Sequence, residues 1–153
     1  MIRNGILVLV ALSTLSACKK EERTKEELLQ ATHWKRTADQ RVDVSNGGTP
    51  LVTNSTVNCT TGDCSCDDYV VFMPDSKLEK NQGAIVCPNQ PAPQNGKWYI
   101  DQKDQTLIAS ELTGYSGYWA FAIEELSTSK LVVSHQIVNG PTISTFRTTF
   151  SAQ

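Results

Sequence analysis

Six segments of the chain alternate with a period of two. DYVVFM (68–73), KWYI (97–100), TLIAS (106–110), YWAFAIEEL (118–126), KLVVSHQIV (130–138) and TISTFRTTF (142–150) are runs of β-branched and aromatic residues. In such runs successive side chains point to opposite faces of a strand. Turn formers separate them: Pro74-Asp75-Ser76, Asn95-Gly96, Gly114, Ser127-Thr128-Ser129 and Asn139-Gly140-Pro141. HWKRTA from His33, LEKNQGAIV from Leu78 and one or two strands within residues 42–58 bring the count to eight or nine. Many short strands joined by turns predict an all-β protein, either an up-and-down barrel or a sandwich. TKEELLQA (24–31) interrupts the pattern. Thr24-x-x-Glu27 is a capping box and Leu28 and Leu29 share one side, which predicts a short helix docked against one end of the body.

Parity assigns faces within the strands. Leu131, Val133, His135 and Ile137 fall on one side of residues 130–138, and Phe146 and Phe150 share a side opposite Arg147. Val70 and Phe72 go with Asp68, while Trp119, Phe121 and Ile123 oppose Tyr118, Ala120 and Ala122. Adjacent carboxylates at Asp67-Asp68 and Glu124-Glu125 then point to opposite faces, so neither doublet makes a shared acid–base site.

The N-terminus carries an address. Arg3 supplies a positive start, Ile6 to Leu15 an apolar stretch, and Ser16 and Ala17 the small residues beside a peptidase cut, the anatomy of a secretory leader. LSAC (15–18) resembles the lipobox of bacterial lipoproteins. That resemblance implies cleavage before Cys18 and acylation there, with several acyl chains making membrane attachment long-lived at ~0.8 kcal/mol per buried CH₂. KKEE (19–22) resembles a surface-export tag, and reads equally as a solvated linker. The expected organisation is a leader over 1–17, a lipidated cysteine and linker over 18–24, and one domain over 25–153. Attachment to the bacterial outer membrane is implied by the same resemblance, surface-exposed if KKEE is the export tag and with the leaflet left open if it is only a linker.

The 153 residues include five cysteines. With Cys18 assigned to acylation, Cys59, Cys64, Cys66 and Cys87 remain, an even number in an exported chain. Disulfides are the expectation there. A Cys₄ zinc site is disfavoured because the spacing lacks paired CxxC knuckles. Three pairings can be drawn, and Cys64–Cys66 fits bridge geometry worst. His33 and His135 are the only histidines, and no Ser-His-Asp order, HExxH or GxSxG accompanies them. The chain is therefore read as a non-enzyme with no cofactor and no metal. With 14 Lys and Arg against 16 Asp and Glu, and no basic stripe, nucleic acid is not an expected partner.

Taken in order, LLQATHWKRT, CSCDDYVVF, CPNQPAPQNGKWYID, YWAFAIEELSTSKLVVS and TFRTTF resemble the lipocalin-like domain of small Bacteroidota lipoproteins. The resemblance spans most of the chain after Cys18 and implies an up-and-down antiparallel barrel of about eight strands. By position it matches Cys64 to the family cysteine, which implies Cys64–Cys87 and leaves Cys59–Cys66 as a local bridge. It also implies that Trp34 packs across the closed end beside Arg147, whereas parity puts Arg147 on the barrel exterior. Thr32 stands where the family has glycine, PDSK (74–77) replaces a glycine-ended turn, and residues 40–58 are longer and more polar than the family pattern.

These readings lead to a lipid-anchored binding module for a small apolar or amphipathic ligand or an envelope component. Val70, Phe72, Phe121, Ile123, Leu131, Val133, His135 and Phe146 are the expected lining of its cavity. The alternative is a structural or accessory subunit whose barrel is filled and which works through its outer face.

Overall fold

A capped helical turn starts the fold. A computed structural model describes residues 23–59, 63–89, 93–103, 105–113 and 117–153. The expected leader, Cys18 and the remainder of residues 1–22 lie outside the described residues. Helix α1 (Lys25–Gln30) begins at Thr24, whose side chain accepts from the Glu27 amide while the Glu27 carboxylate accepts from the Thr24 amide. The capping box so formed satisfies two of the helix's orphan donors.

Among the described residues nine strands follow: β1 (His33–Ser45), β2 (Leu51–Thr56), β3 (Tyr69–Phe72), β4 (Lys77–Asn81), β5 (Gln94–Asp101), β6 (Thr106–Ser110), β7 (Tyr118–Leu126), β8 (Lys130–Asn139) and β9 (Thr142–Ala152). Every neighbouring pair is antiparallel. Consecutive strands from β3 to β9 pair in sequence, and β1 joins both β3 and β9, so eight strands close into an up-and-down barrel. β2 lies outside this ring. It pairs with the far half of β1, from Ala38 to Asp43, and all six of its residues are exposed. The polar segment 40–58 thus divides into the end of β1, a turn with Asn46 and Gly47 both at positive φ, and β2. Asn-Gly at those two positions suits a chain reversal that demands left-handed backbone twice in succession.

β1 is long and irregular, and its irregularity decides what the barrel encloses. Its register with β9 shifts between Arg36 and Ala38, leaving Thr37 as a bulge. The Thr37 hydroxyl donates to Thr149 O at 3.2 Å, and its carbonyl accepts from the Val57 amide at 3.0 Å. Before the bulge, Trp34 and Arg36 face inward; after it, Asp39, Arg41 and Asp43 do, opposite Thr148, Phe146 and Ser144 of β9. Uninterrupted alternation from Trp34 would have turned Ala38, Gln40, Val42 and Val44 inward instead. β7 carries a second shift between Ile123 and Glu125. It lets Ile123 and Leu126, three positions apart, both pack against the core.

α1 and the start of β1 cover one end. Leu29 and Trp34 are fully buried there, and the Trp34 indole N–H donates to Leu29 O at 2.8 Å. Above them Val70, Phe72, Leu78, Trp98, Leu107, Phe121, Leu131, Val133 and Phe150 fill the interior. Each such side chain contributes on the order of 1.5–3 kcal/mol by leaving water. The expected strand LEKNQGAIV is shorter than read, because β4 stops at Asn81. Beyond it, Gly83 passes so close to Asp67 that a Cβ there would lie 2.3 Å from Asp67 Cγ. The Ile85 amide donates to Asp67 Oδ2 at 3.1 Å and the Cys87 amide to Gln82 Oε1 at 3.2 Å. Side-chain acceptors have replaced the ladder, and Asp67 holds a turn.

Cys59 is bonded to Cys66 and Cys64 to Cys87. The second bridge joins the β2–β3 and β4–β5 connections at the end of the barrel opposite α1. Replacing Cys64 and Cys87 together by serine, which opens a bridge of sequence separation 23, is expected to lower unfolding free energy by about 3 kcal/mol in a urea melt. Deleting Thr37 brings Arg36 next to Ala38, which keeps Asp39, Arg41 and Asp43 inward in the same register with β9 but removes the bulge's local twist and its hydrogen bonds to Thr149 and Val57. A loss of about 1–3 kcal/mol is expected in the same measurement, and a smaller one for Thr37→Val, which loses only the hydroxyl's bond.

Candidate functional site

The interior above the apolar plug is polar. Two hollows of about 270 and 210 Å³ lie above the plug and have Arg36 and Thr113 in common. Each is a little smaller than the ~300–1,000 Å³ of drug-sized sites, so either one admits only a small molecule. The larger is bordered by Arg36, Asp39 and Arg41 of β1, Thr53 and Ser55 of β2, and His135, Phe146 and Thr148 of β8 and β9. The smaller has Trp34, Val70, Leu112 and Phe150 for a floor and Arg36, Ser65, Asp68, Lys80 and Thr113 for walls.

Strand register builds the larger hollow. Asp39 accepts from the Thr148 hydroxyl at 3.0 Å and lies 3.8 Å from the Arg36 guanidinium. Asp43 accepts from Ser144 and from Arg41 Nε, the latter at 2.9 Å, and these hydrogen bonds hold its carboxyl below the usual range. The Arg41 guanidinium sits 5.3 Å from the centre of the Phe146 ring. Phe146 stacks on His135 at 5.1 Å, and His135 meets Trp119 and Phe121 edge-on at 5.2 and 5.3 Å. A cation, a phenyl and an imidazole thus form a column from the mouth to the plug. Burial among these rings pushes the His135 imidazole below its ordinary value.

The smaller hollow holds a different kind of group. Asp68 is 5% exposed, and neither carboxylate oxygen accepts a hydrogen bond among the described residues. Lys80 Nζ stands 3.4 Å from Oδ2. The Thr113 hydroxyl in the same wall is buried and likewise without a hydrogen bond among the described residues. A buried carboxylate that accepts no hydrogen bond is costly, at several kcal/mol for the desolvation before any ion pair offsets it.

Of the eight residues expected to line a cavity, His135 and Phe146 border the larger hollow and Val70 the smaller. Phe72, Phe121, Leu131 and Val133 are fully buried in the plug, and Ile123 packs against it. That is a correction: the apolar strand faces meet one another across the lower barrel and leave no hollow between them. Trp34 and Arg147 are also separated. Trp34 pairs with Ala152 at the closed end, whereas Arg147 lies five residues earlier on the opposite face, in an ion pair with Glu124. Parity had set Arg147 outside; its side chain is exposed and paired with Glu124, and the residue also borders the larger hollow. Glu125 pairs independently with Lys130 at 2.7 Å. His33 stacks on Tyr69 at 5.0 Å, and Tyr69 borders the smaller hollow while His33 does not. Trp98 is core and Tyr118 exposed, and Tyr115 falls outside the described residues.

Sequence reasoning passed over Arg36, Asp39, Arg41, Lys80, Leu112 and Thr113. One signal was available. Asp39, Arg41 and Asp43 alternate, so any strand there carries three charges on one face. Asp68 shares the parity of Val70 and Phe72, which marks it as inward. Among the described residues no group of three or more His, Cys, Asp or Glu converges as a metal site. The sequence matches no protein-family model and no curated protein. The functional reading therefore rests on the barrel and its mouth.

Because His135 loses proton affinity on folding, the folded state binds fewer protons than the unfolded one as pH falls below 6.5. Its contribution is complete above that pH and is lost as pH falls toward the lowered folded value. His135→Gln is expected to flatten the dependence of melting temperature on pH between 7 and 5 relative to the parent, read by thermal melts at fixed ionic strength.

Proposed function

We propose that this protein is an exported, lipid-anchored binding module whose barrel mouth takes a small amphipathic molecule. One observation carries the reading: two hollows above the plug, with charged walls and, in the smaller, an apolar floor. A wholly apolar ligand would leave Arg36, Asp39 and Lys80 facing it without compensation, which costs binding energy. A ligand with an apolar body and a polar head matches floor and walls together. Binding rather than catalysis is the role proposed.

The anchor follows from LSAC and gives the site a direction. Cys18 precedes Thr24 by six residues, and the chain enters the fold at α1. A bilayer attached there faces the closed end, and the mouth looks away from it. Under this reading the protein belongs to the outer membrane, presenting its hollow outward from the lipid surface.

A second reading, an accessory subunit, draws on one feature. Past the bulge, Val42, Val44, Val52, Val138 and Ile143 fall on the outer face of adjoining strands around the mouth. Val138 is 70% exposed. Such a patch fits a protein surface.

Mass spectrometry of the purified protein is expected to show an acylated N-terminus at Cys18, and Cys18→Ala is expected to release the protein from membranes. A ligand present at 100 times its Kd should stabilise the fold by ~2.7 kcal/mol, several degrees in a thermal-shift panel of small amphiphiles. Arg36→Met should abolish that shift with little change in the unliganded melt. If no member of the panel shifts the melt, and lysines at Val138 and Ile143 abolish a defined complex with an envelope protein, the accessory reading replaces this one.

A further inference from the structure

Strand β2 is the end of the sheet. Among the described residues it pairs with β1 alone, along one edge and without a register shift, and all six of its residues are exposed. The direction of its backbone groups follows from one bond. The Val57 amide donates to Thr37 O at 3.0 Å, and in that peptide group the carbonyl, which belongs to Thr56, points the opposite way. By antiparallel alternation Leu51, Thr53 and Ser55 exchange bonds with Asp43, Arg41 and Asp39, while the amides and carbonyls of Val52, Asn54 and Thr56 point out along the other edge. Edge strands are ordinarily guarded by a charge, a proline or a bulge. LVTNST, residues 51–56, has none of the three. The stretch from Val52 to Thr56 also reads alike in both directions: β-branched at Val52 and Thr56, hydroxyl-bearing at Thr53 and Ser55, with Asn54 in the middle.

We propose that β2 is a dimerisation edge whose occupant is the β2 of a second copy, paired antiparallel about a two-fold axis through Asn54. That register sets Val52 against the partner's Thr56, Thr53 against the partner's Ser55 and Asn54 against the partner's Asn54. Each copy then donates from the amides of Val52, Asn54 and Thr56 and accepts at their carbonyls, so every outward ladder group is used. The facing side chains are neutral throughout, and a net charge of −2 per chain adds little repulsion. Threonine beside serine across two strands is a favourable pair. A foreign strand would satisfy the backbone equally, but the near-palindrome serves only an isologous contact, in which one patch meets its own copy. Pairing also extends a site. Thr53 and Ser55 border the larger hollow, so the partner's Ser55 and Thr53 continue that wall, and the two larger hollows lie on one face of a continuous sheet. The two-fold reverses strand direction and sets the α1 ends at opposite extremes of the pair. Copies tethered to one bilayer therefore pair with the axis along its normal and both barrels on their sides, whereas a lone copy faces its mouth outward. The inference uses the strand edge and not the contents of the hollow, and it stands apart from the ligand reading.

A strand edge is a small interface, so the pair is reversible. Sedimentation equilibrium of the purified protein with Cys18→Ala, untethered and otherwise whole, is expected to show a mass that doubles as concentration rises. Asn54→Pro should weaken pairing tenfold or more while the far-UV spectrum of the single copy is kept, because the amide it removes faces away from β1. Asn54→Lys, which keeps the amide and sets like charges against each other at the axis, should do the same. On the anchored protein in membranes, Asn54→Cys should cross-link to its own copy through a short thiol reagent. Val52→Cys should cross-link to Thr56→Cys in a mixed sample and not to itself. A mass of one copy at every concentration up to about 1 mM, or a doubled mass that both Asn54 variants leave unchanged, overturns the inference. Cross-linking of Asn54→Cys to another envelope protein in place of its own copy also overturns it, and gives the edge a different occupant. Each of these failures leaves the proposed ligand site untouched.

Discussion

One unpaired residue in a strand determines what this barrel contains. Strand β1 runs the height of the wall, and a regular strand of its sequence would send Ala38, Gln40, Val42 and Val44 inward. The bulge at Thr37 reverses the alternation midway. Below it, Trp34 joins an apolar plug; above it, Asp39, Arg41 and Asp43 enter the interior and the valines leave it. The bulge is fixed on both sides, by the Thr37 hydroxyl on Thr149 and by the Val57 amide on the Thr37 carbonyl. Since a shift of one residue exchanges the two faces of a strand, the charged mouth and the apolar outer rim are two consequences of one backbone event.

The two halves of the interior then follow different physics. In the lower half, burial of Phe, Leu and Val against Trp34 and Leu29 supplies the driving force for closure, and α1 removes the end of that core from water. Trp34 can be fully buried because its one polar atom reaches Leu29 O. In the upper half, polar groups are carried by strands already held from below. Thr148 and Ser144 of β9 meet Asp39 and Asp43 of β1 across the seam that closes the ring, so the same ladder that shuts the barrel orients the charges of its mouth. The two disulfides act on the loops above, tying the β2–β3 connection to itself and to the β4–β5 connection.

The strands, the capped helix and most turns could be read from local pattern, because period two and capping chemistry are properties of neighbouring residues. Parity placed Arg147 outside, and Asp68, Val70 and Phe72 inside, as the structure has them. The cavity was not legible in the same way. Choosing Phe72, Phe121, Leu131 and Val133 as lining required knowing whether opposing strand faces touch, which depends on the dimensions of the closed ring. The walls escaped because parity on β1 depends on a bulge. A bulge is stabilised by partners 20 residues away at Val57 and 112 away at Thr149, and no local window contains them. The end of β4 escaped similarly, since Asp67 pulls the chain off the ladder through a side chain on another strand's approach.

The cost of the mouth argues for its use. Asp68 lies almost wholly out of water with an ion pair at 3.4 Å and no hydrogen bond among the described residues, whereas Asp43, in the same barrel, accepts two. A single change to an apolar residue at either Asp68 or Lys80 would leave the other charge buried, but replacing both by apolar side chains would extend the plug and remove the penalty. Sequences that break a local rule do so at a loss in stability, and such breaks concentrate where a protein meets its ligand. The plug shows that this chain can fill a barrel with well-packed apolar side chains. Directly above it, around Arg36, Asp68 and Thr113, the same fold carries charge and buried oxygens that accept no hydrogen bond among the described residues. Stability alone would favour continuing the plug to the top of the ring, and that departure is what the proposed binding role draws on.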